Sequence, residues 1–174
     1  MPQVSILLPF YNAASTLNQA VDSIVNQSLT HWELILVDNA STDGSSLLAE
    51  KWAKRDSRIQ LTRCEQQGIA HALNQGLELV DSDFIARMDA DDVSCSNRLE
   101  KQLNFLEENP EVDVIGCQTD FRSSLEKAEG YAHFINWQNG ILTPDQHWIN
   151  RFKESPVAHP TVMFRRALID QFGP

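Results

Sequence analysis

Short apolar runs separated by stretches of helical spacing are the feature that most narrows the folds open to this chain. Val4 to Leu8 (VSILL), Glu33 to Val37 (ELILV) and Asp83 to Met88 (DFIARM) read as strands buried on both faces, because their apolar residues follow one another without alternation. Ile59 to Thr62 and Val112 to Cys117 are expected as a short third and a fifth strand. Between the runs, Leu17, Ala20, Val21, Ile24 and Val25 recur at helical spacing, with Thr16 and Gln19 as a capping box. Leu48 and Trp52 lie one turn apart in a helix from about Ser45. Ile69, Ala72, Leu73, Gly76 and Leu77 mark another, whose small Ala72 and Gly76 allow close approach to a sheet. Leu99, Leu103 and Leu106 mark one closed by Pro110. Such alternation needs crossover connections and predicts an α/β fold: a doubly wound, mostly parallel sheet flanked by helices. Beyond Thr119 the pattern blurs. Tyr131 to Trp137 is expected to be extended, Asp145 to Lys153 helical with Pro144 in its first turn, and Thr161 to Phe164 a short strand.

The length of 174 residues suits a single domain, 1–174, large enough to bury a core without staples. A formal charge of -10 argues against nucleic acid as a partner, because phosphate backbones are bound by fields of Lys and Arg. It leaves room for a small anionic ligand if a cation stands between. The three cysteines, Cys64, Cys95 and Cys117, have neither disulfide nor zinc spacing. No apolar run reaches the length of a membrane span, and Met1-Pro2-Gln3 leads directly into a strand, so a cytoplasmic protein is expected, with a role at the membrane surface left open.

The third apolar run breaks off onto Asp89, Asp91 and Asp92, three carboxylates within four residues. Like charges that close repel and resist burial unless a cation or hydrogen bonds compensate them, and a divalent metal with oxygen ligands would do so. A plain turn and helix cap accounts equally well for an Asp/Ser cluster after a strand. An EF-hand loop starting at Asp89 would use Asp91 and Glu100, but Val93 and Ser94 stand where a ligand and the turn glycine are needed. In open α/β sheets, ligands bind beyond the carboxyl ends of the strands. Parallel strands would bring Phe10-Tyr11-Asn12, Asp38-Asn39, the Gly68 loop and Asp89-Ala90-Asp91 to one edge. No G-x-G-x-x-G or Walker pattern follows any strand, so a diphosphate would be held by metal, while Asp38 could accept a hydrogen bond from a base or ribose hydroxyl.

VSILLPFYNAASTL, ELILVDNASTDGS, GIAHALNQGL and FIARMDADD, in that order, resemble the family 2 glycosyltransferases of GT-A fold, strongly over residues 4–110, and SPVAHPTVMFRR resembles a later segment of bacterial members. The resemblance implies inverting transfer of a sugar from a nucleoside diphosphate sugar, with UDP as the expected nucleotide, to a saccharide or lipid-linked acceptor, in cell-wall or polysaccharide synthesis. It implies that Asp38 reads the base, that Pro9 and Tyr11 line the nucleotide, and that Gly68 and Asn74 belong to the third loop and its helix. Asp89 matches the ribose-side acid of the DxD motif and Asp91 its ligand for Mn²⁺ or Mg²⁺. Leu73 stands where members often carry an Arg. On this reading residues 1–110 form a nucleotide-binding half and 111–174 begin an acceptor-side half.

The family's catalytic base is a carboxylate after the segment matched by HPTVMFRR, and Asp170 is the only acid there, so the expectation is an incomplete catalytic domain whose base is not identified. The alternative is a nucleotide-sugar-binding domain without transfer activity. A nucleotidyltransferase would need a glycine-rich, basic loop after the first strand, which LLPFYNAAS lacks. His159 reads as a structural histidine, and Arg165 and Arg166 as ion-pairing residues.

Overall fold

In the first two strands, β1 (Val4–Phe10) and β2 (Trp32–Asp38), all seven residues are buried, as runs covered on both faces must be. They lie at the centre of a six-stranded sheet in a computed structural model that describes residues 1–122 and 129–173. The strand order is β3-β2-β1-β4-β6-β5, with β3 at Ile59–Arg63, β4 at Phe84–Arg87, β5 at Val114–Ile115 and β6 at Met163–Arg165. β1 to β4 run parallel, Val4 facing both Trp32 and Phe84, and β6 lies antiparallel to β4 and β5.

Period-two alternation divides the side chains of β1 between two cores. Val4, Ile6, Leu8 and Phe10 join Leu17, Ala20, Val21 and Ile24 of α1 (Leu17–Val25) and Leu99, Leu103 and Leu106 of α4 (Arg98–Glu108). Leu48 and Trp52 of α2 (Ser45–Arg55) pack against the same cluster. On the opposite face, Leu7, Ile35, Val37 and Ile85 meet Ala72 of α3 (Ile69–Leu77). A Cβ on Gly76 would stand 3.0 Å from both Leu7 Cδ2 and Val37 Cγ2, so α3 approaches the sheet closely because that position carries no side chain.

Two compact units are distinguished, residues 1–115 with 163–174, and residues 116–162. The second contains α5 (Glu129–Asn139), α6 (Pro144–Asn150) and a 3₁₀ turn at His159–Thr161; α7 (Ala167–Phe172) belongs to the first. Tyr131 to Trp137 is therefore helical rather than extended. Its Tyr, Phe, Ile and Trp favour strands intrinsically, but in α5 Tyr131, Phe134 and Trp137 form a chain of ring contacts at 6.0 and 5.7 Å, the i, i+3 spacing of a helix face. The fifth strand covers two residues rather than Val112 to Cys117, since only Val114 and Ile115 pair with β6. Helix α6 ends at Asn150 instead of Lys153. The Thr16–Gln19 capping box does not form, because the Thr16 hydroxyl turns back to the Ala13 carbonyl; a box forms instead between Thr143 and Gln146.

Candidate functional site

Four loops meet where the parallel strands end. The β1 loop turns at Asn12, whose φ of 50° is rare outside glycine but tolerated by Asn. It is laced to the β2 loop: Asn12 N–H donates to Ser41 Oγ at 3.0 Å, Thr42 N–H to Asn12 Oδ1 at 2.8 Å, Ala13 N–H to Ser45 Oγ at 2.8 Å and Ala14 N–H to Asp43 Oδ2 at 2.9 Å. The Ser45 hydroxyl, followed by the Ala14 N–H, holds the Asp43 carboxyl below the usual carboxylate range.

Asp38, at the end of β2, is 2% exposed. Its carboxylate accepts from Ser41 N–H at 2.8 Å, from the Ser46 hydroxyl and from Arg63 at 3.4 Å. The next residue, Asn39, pins the third loop. Its Nδ2 donates to the Cys64 and Gln66 carbonyls at 3.2 and 2.8 Å, and its Oδ1 accepts from Gly68 N–H at 2.8 Å. Gly68 takes a φ of 129°, which a side chain would strain, and opens α3.

At the end of β4, Arg87 pairs with Asp89 at 2.8 Å, and buried Arg98 donates to the Arg87 carbonyl at 2.8 Å. Oxygens of Asp89, Asp91 and Asp92 can all lie within 4.8 Å of one another. Surrounding protein displaces water from the Asp92 carboxyl, and the negative fields of Asp89 and Asp91 add to this, so its pKa is raised. A cluster of hard oxygens under mutual repulsion fits Mg²⁺ or Mn²⁺. Asp91 and Asp92 are exposed, whereas Asp89 shares its charge with Arg87.

Two adjoining clefts open over these loops. One, of about 340 Å³, is lined by Pro9, Tyr11, Asn39, Gln67, Gly68 and Ala72 among others. The second, of about 500 Å³, shares Pro9 and Tyr11 and reaches Arg87, Asp89 and Asp91. Together they form a trough with an apolar end and a charged end, and that form suits a nucleotide whose phosphates lie beside a metal.

The family model described as "Glycosyl transferase family 2" matches residues 5–173. The chain belongs to that family. Bacillus subtilis TuaG, named as a teichuronic acid biosynthesis glycosyltransferase, is 40% identical over 108 residues, covering 62% of this chain and 43% of TuaG. The mannosyltransferase PcManGT of Pyrobaculum calidifontis, solved with GDP-Man and Mn²⁺, superposes with a TM-score of 0.73 at 23% identity, over 99% of this chain and 47% of that one. S. aureus TarS 1-349 with UDP-GlcNAc gives 0.71 at 19%, over 97% and 47%. These likenesses show the GT-A fold. This family 2 chain thus spans just under half the length of each.

The trough of this family 2 chain gathers Pro9, Tyr11, Gly68, Asp89 and Asp91 into its walls. Asp38 lies beneath the β2 loop and lines neither cleft; Asn74 sits exposed on α3 and lines neither. The sequence pattern placed Asn39 beside Asp38 at the sheet edge without a role of its own, and gave Arg87 none. The signal for Arg87 was a lone base inside an apolar run immediately before three acids. Asn39 carried no signal beyond its place after Asp38. His159 meets Ser155 Oγ through Nε2 at 3.0 Å, and Arg166 pairs with Asp83 at 3.6 Å, both at the surface. Arg165 pairs with Asp113 at 3.9 Å and also donates to the Val112 carbonyl at 3.1 Å.

Proposed function

We propose that this family 2 chain binds a nucleoside diphosphate sugar, with UDP as the nucleotide, and transfers the sugar to a saccharide or lipid-linked acceptor hydroxyl with inversion, assisted by Mn²⁺ or Mg²⁺. The observation that carries the reading is the trough whose charged end holds Asp89 and Asp91 beside Arg87. The polysaccharide named for TuaG and the nucleotide sugars bound by PcManGT and TarS support the donor and acceptor classes. A cytoplasmic location and contact with a membrane surface belong to the same proposal; no helix among the described residues is long and apolar enough to cross a membrane.

The base sits at the apolar end, between Pro9, Tyr11, Gly68 and Ala72. The Asn39 amide is committed to the third loop, which leaves the Tyr11 hydroxyl and the Gln67 amide as side-chain groups facing the base. Asp38 has three partners and a carboxylate accepts about four bonds, so the base or ribose becomes its fourth only if the β2 loop shifts to open this buried carboxylate to the trough. Gly68 opens α3, which carries Asn74. The diphosphate lies toward Arg87, with Asp89 held for the ribose side and Asp91 as the metal ligand. When bound, the metal neutralises charge developing on the leaving diphosphate.

Calorimetric titration with UDP in Mn²⁺ and in EDTA tests the reading, together with release of UDP from a panel of UDP-sugars. Tight binding only with metal is expected. Equal affinity in both buffers would remove the metal from the proposal, and absence of UDP binding would remove the donor.

A further inference from the structure

We infer that Gln27 is a positioning residue for the acidic loop, holding Asp91 in place for its cation from the far end of α1; this rests on the metal-assisted reading above. The chain from Asp92 to Asn97 forms neither helix nor strand, so its backbone polar groups need partners from elsewhere. The end of α1 supplies them. Gln27, 6% exposed, places Nε2 2.7 Å from the Cys95 carbonyl and 3.2 Å from Ser94 Oγ, while its Oε1 accepts from Leu99 N–H at 3.1 Å in the first turn of α4. Ser23 Oγ accepts from Ser94 N–H at 3.0 Å, and Ser28 N–H donates to the Ser96 carbonyl at 2.7 Å.

Helix α1 is therefore tied to both sides of the charged cleft. The loop that leads into it lines that cleft with Asn12, Ala13, Ser15 and Thr16, and the residues that follow it grip the descent from Asp91. Its nine residues make a strut of about 13 Å between the two. A buried amide that bonds the Ser94 hydroxyl and the Cys95 carbonyl of the irregular segment, and the Leu99 N–H of the helix after it, fixes the course of that segment, which begins directly after the metal ligand Asp91. Groups of this kind orient ligands without touching the ion.

The test compares Gln27→Leu with the core substitution Ile24→Val in the helix that precedes it. For each, UDP affinity is measured in Mn²⁺ and in EDTA, with the unfolding midpoint alongside. Gln27→Leu is expected to cut the metal-dependent gain in affinity by about tenfold or more while leaving affinity in EDTA unchanged. Ile24→Val, though it lowers the midpoint, should leave the gain intact. Gln27→Glu, which keeps the acceptor for Leu99 N–H but loses the donor for Cys95, serves if the leucine variant does not fold, and is expected to show an intermediate loss. A wild-type gain with an undiminished gain in the Gln27 variants would overturn the positioning role alone. Affinity falling equally with and without metal would reduce Gln27 to a structural residue. No gain in the wild-type chain would overturn the metal reading itself.

Discussion

Where the parallel strands begin, acidic side chains are enclosed by partners; past the end of β4, Asp89, Asp91 and Asp92 face one another. At the beginning, Glu33 is 8% exposed and accepts from the Ser5 hydroxyl, from Gln60 Nε2 at 3.1 Å and from Asp81 N–H at 3.0 Å, and Ser5 Oγ meets Ser82 Oγ at 2.7 Å. Three strands and the segment leading into β4 are thereby joined through one carboxylate. Asp56 at that edge is held below the usual carboxylate range, first by the side-chain hydrogen bonds from Arg58, at 3.0 and 2.6 Å. At the other edge, Asp92 is pushed up. Acids whose partners are built into the fold support it, whereas acids left to repel one another hold a place for a cation from outside. Under the proposed function, Glu33 and Asp56 are structural acids and Asp91 is the cation ligand.

Glu33→Ala should break the first edge outright. It removes the partner of Gln60 Nε2 and of the Asp81 N–H and leaves Ser5 with Ser82 alone, and a loss of about 3 kcal/mol is expected in urea denaturation. Nucleotide affinity of the folded fraction should stay unchanged, and a change there would blur the division between the edges. Asp91→Asn is the mirror experiment. It should lower UDP affinity in Mn²⁺ by about a hundredfold with almost no change in the denaturation midpoint in EDTA; a large stability loss would make Asp91 a structural acid. The smallest effect concerns pH. A carboxyl whose folded pKa is depressed contributes stability above its unfolded value near 4 and loses it as pH falls through the folded value. Asp56→Asn should therefore lower stability at neutral pH by less than about 1 kcal/mol and flatten the acid limb of the profile below about pH 4. An unaltered acid limb would assign that slope to other carboxyls.

The sheet and the acidic run were legible because each rests on local pattern. Continuous burial shows in VSILL and ELILV themselves, and three acids in four residues are conspicuous wherever the chain goes. Arg87 and Asn39 were not legible, since their importance comes from what tertiary structure brings to them: Asp89 and the second cleft for one, the Cys64–Gly68 loop for the other. The caps show the same limit. Thr16 and Gln19 have the right spacing, yet packing of the β1 loop against the β2 loop gives Thr16 another partner. In α5, ring contacts along one face outweighed the strand preference of the individual aromatic residues.

The antiparallel pairing of β5 with β6 carries one more consequence. Val114 lies opposite Phe164 and Ile115 opposite Met163, so the chain leaves the sheet and rejoins it on neighbouring strands. Residues 116–162 are therefore a cassette held at two adjacent points. A segment that leaves and re-enters at paired residues of neighbouring strands can be lengthened, shortened or exchanged without changing the order of β1 to β4.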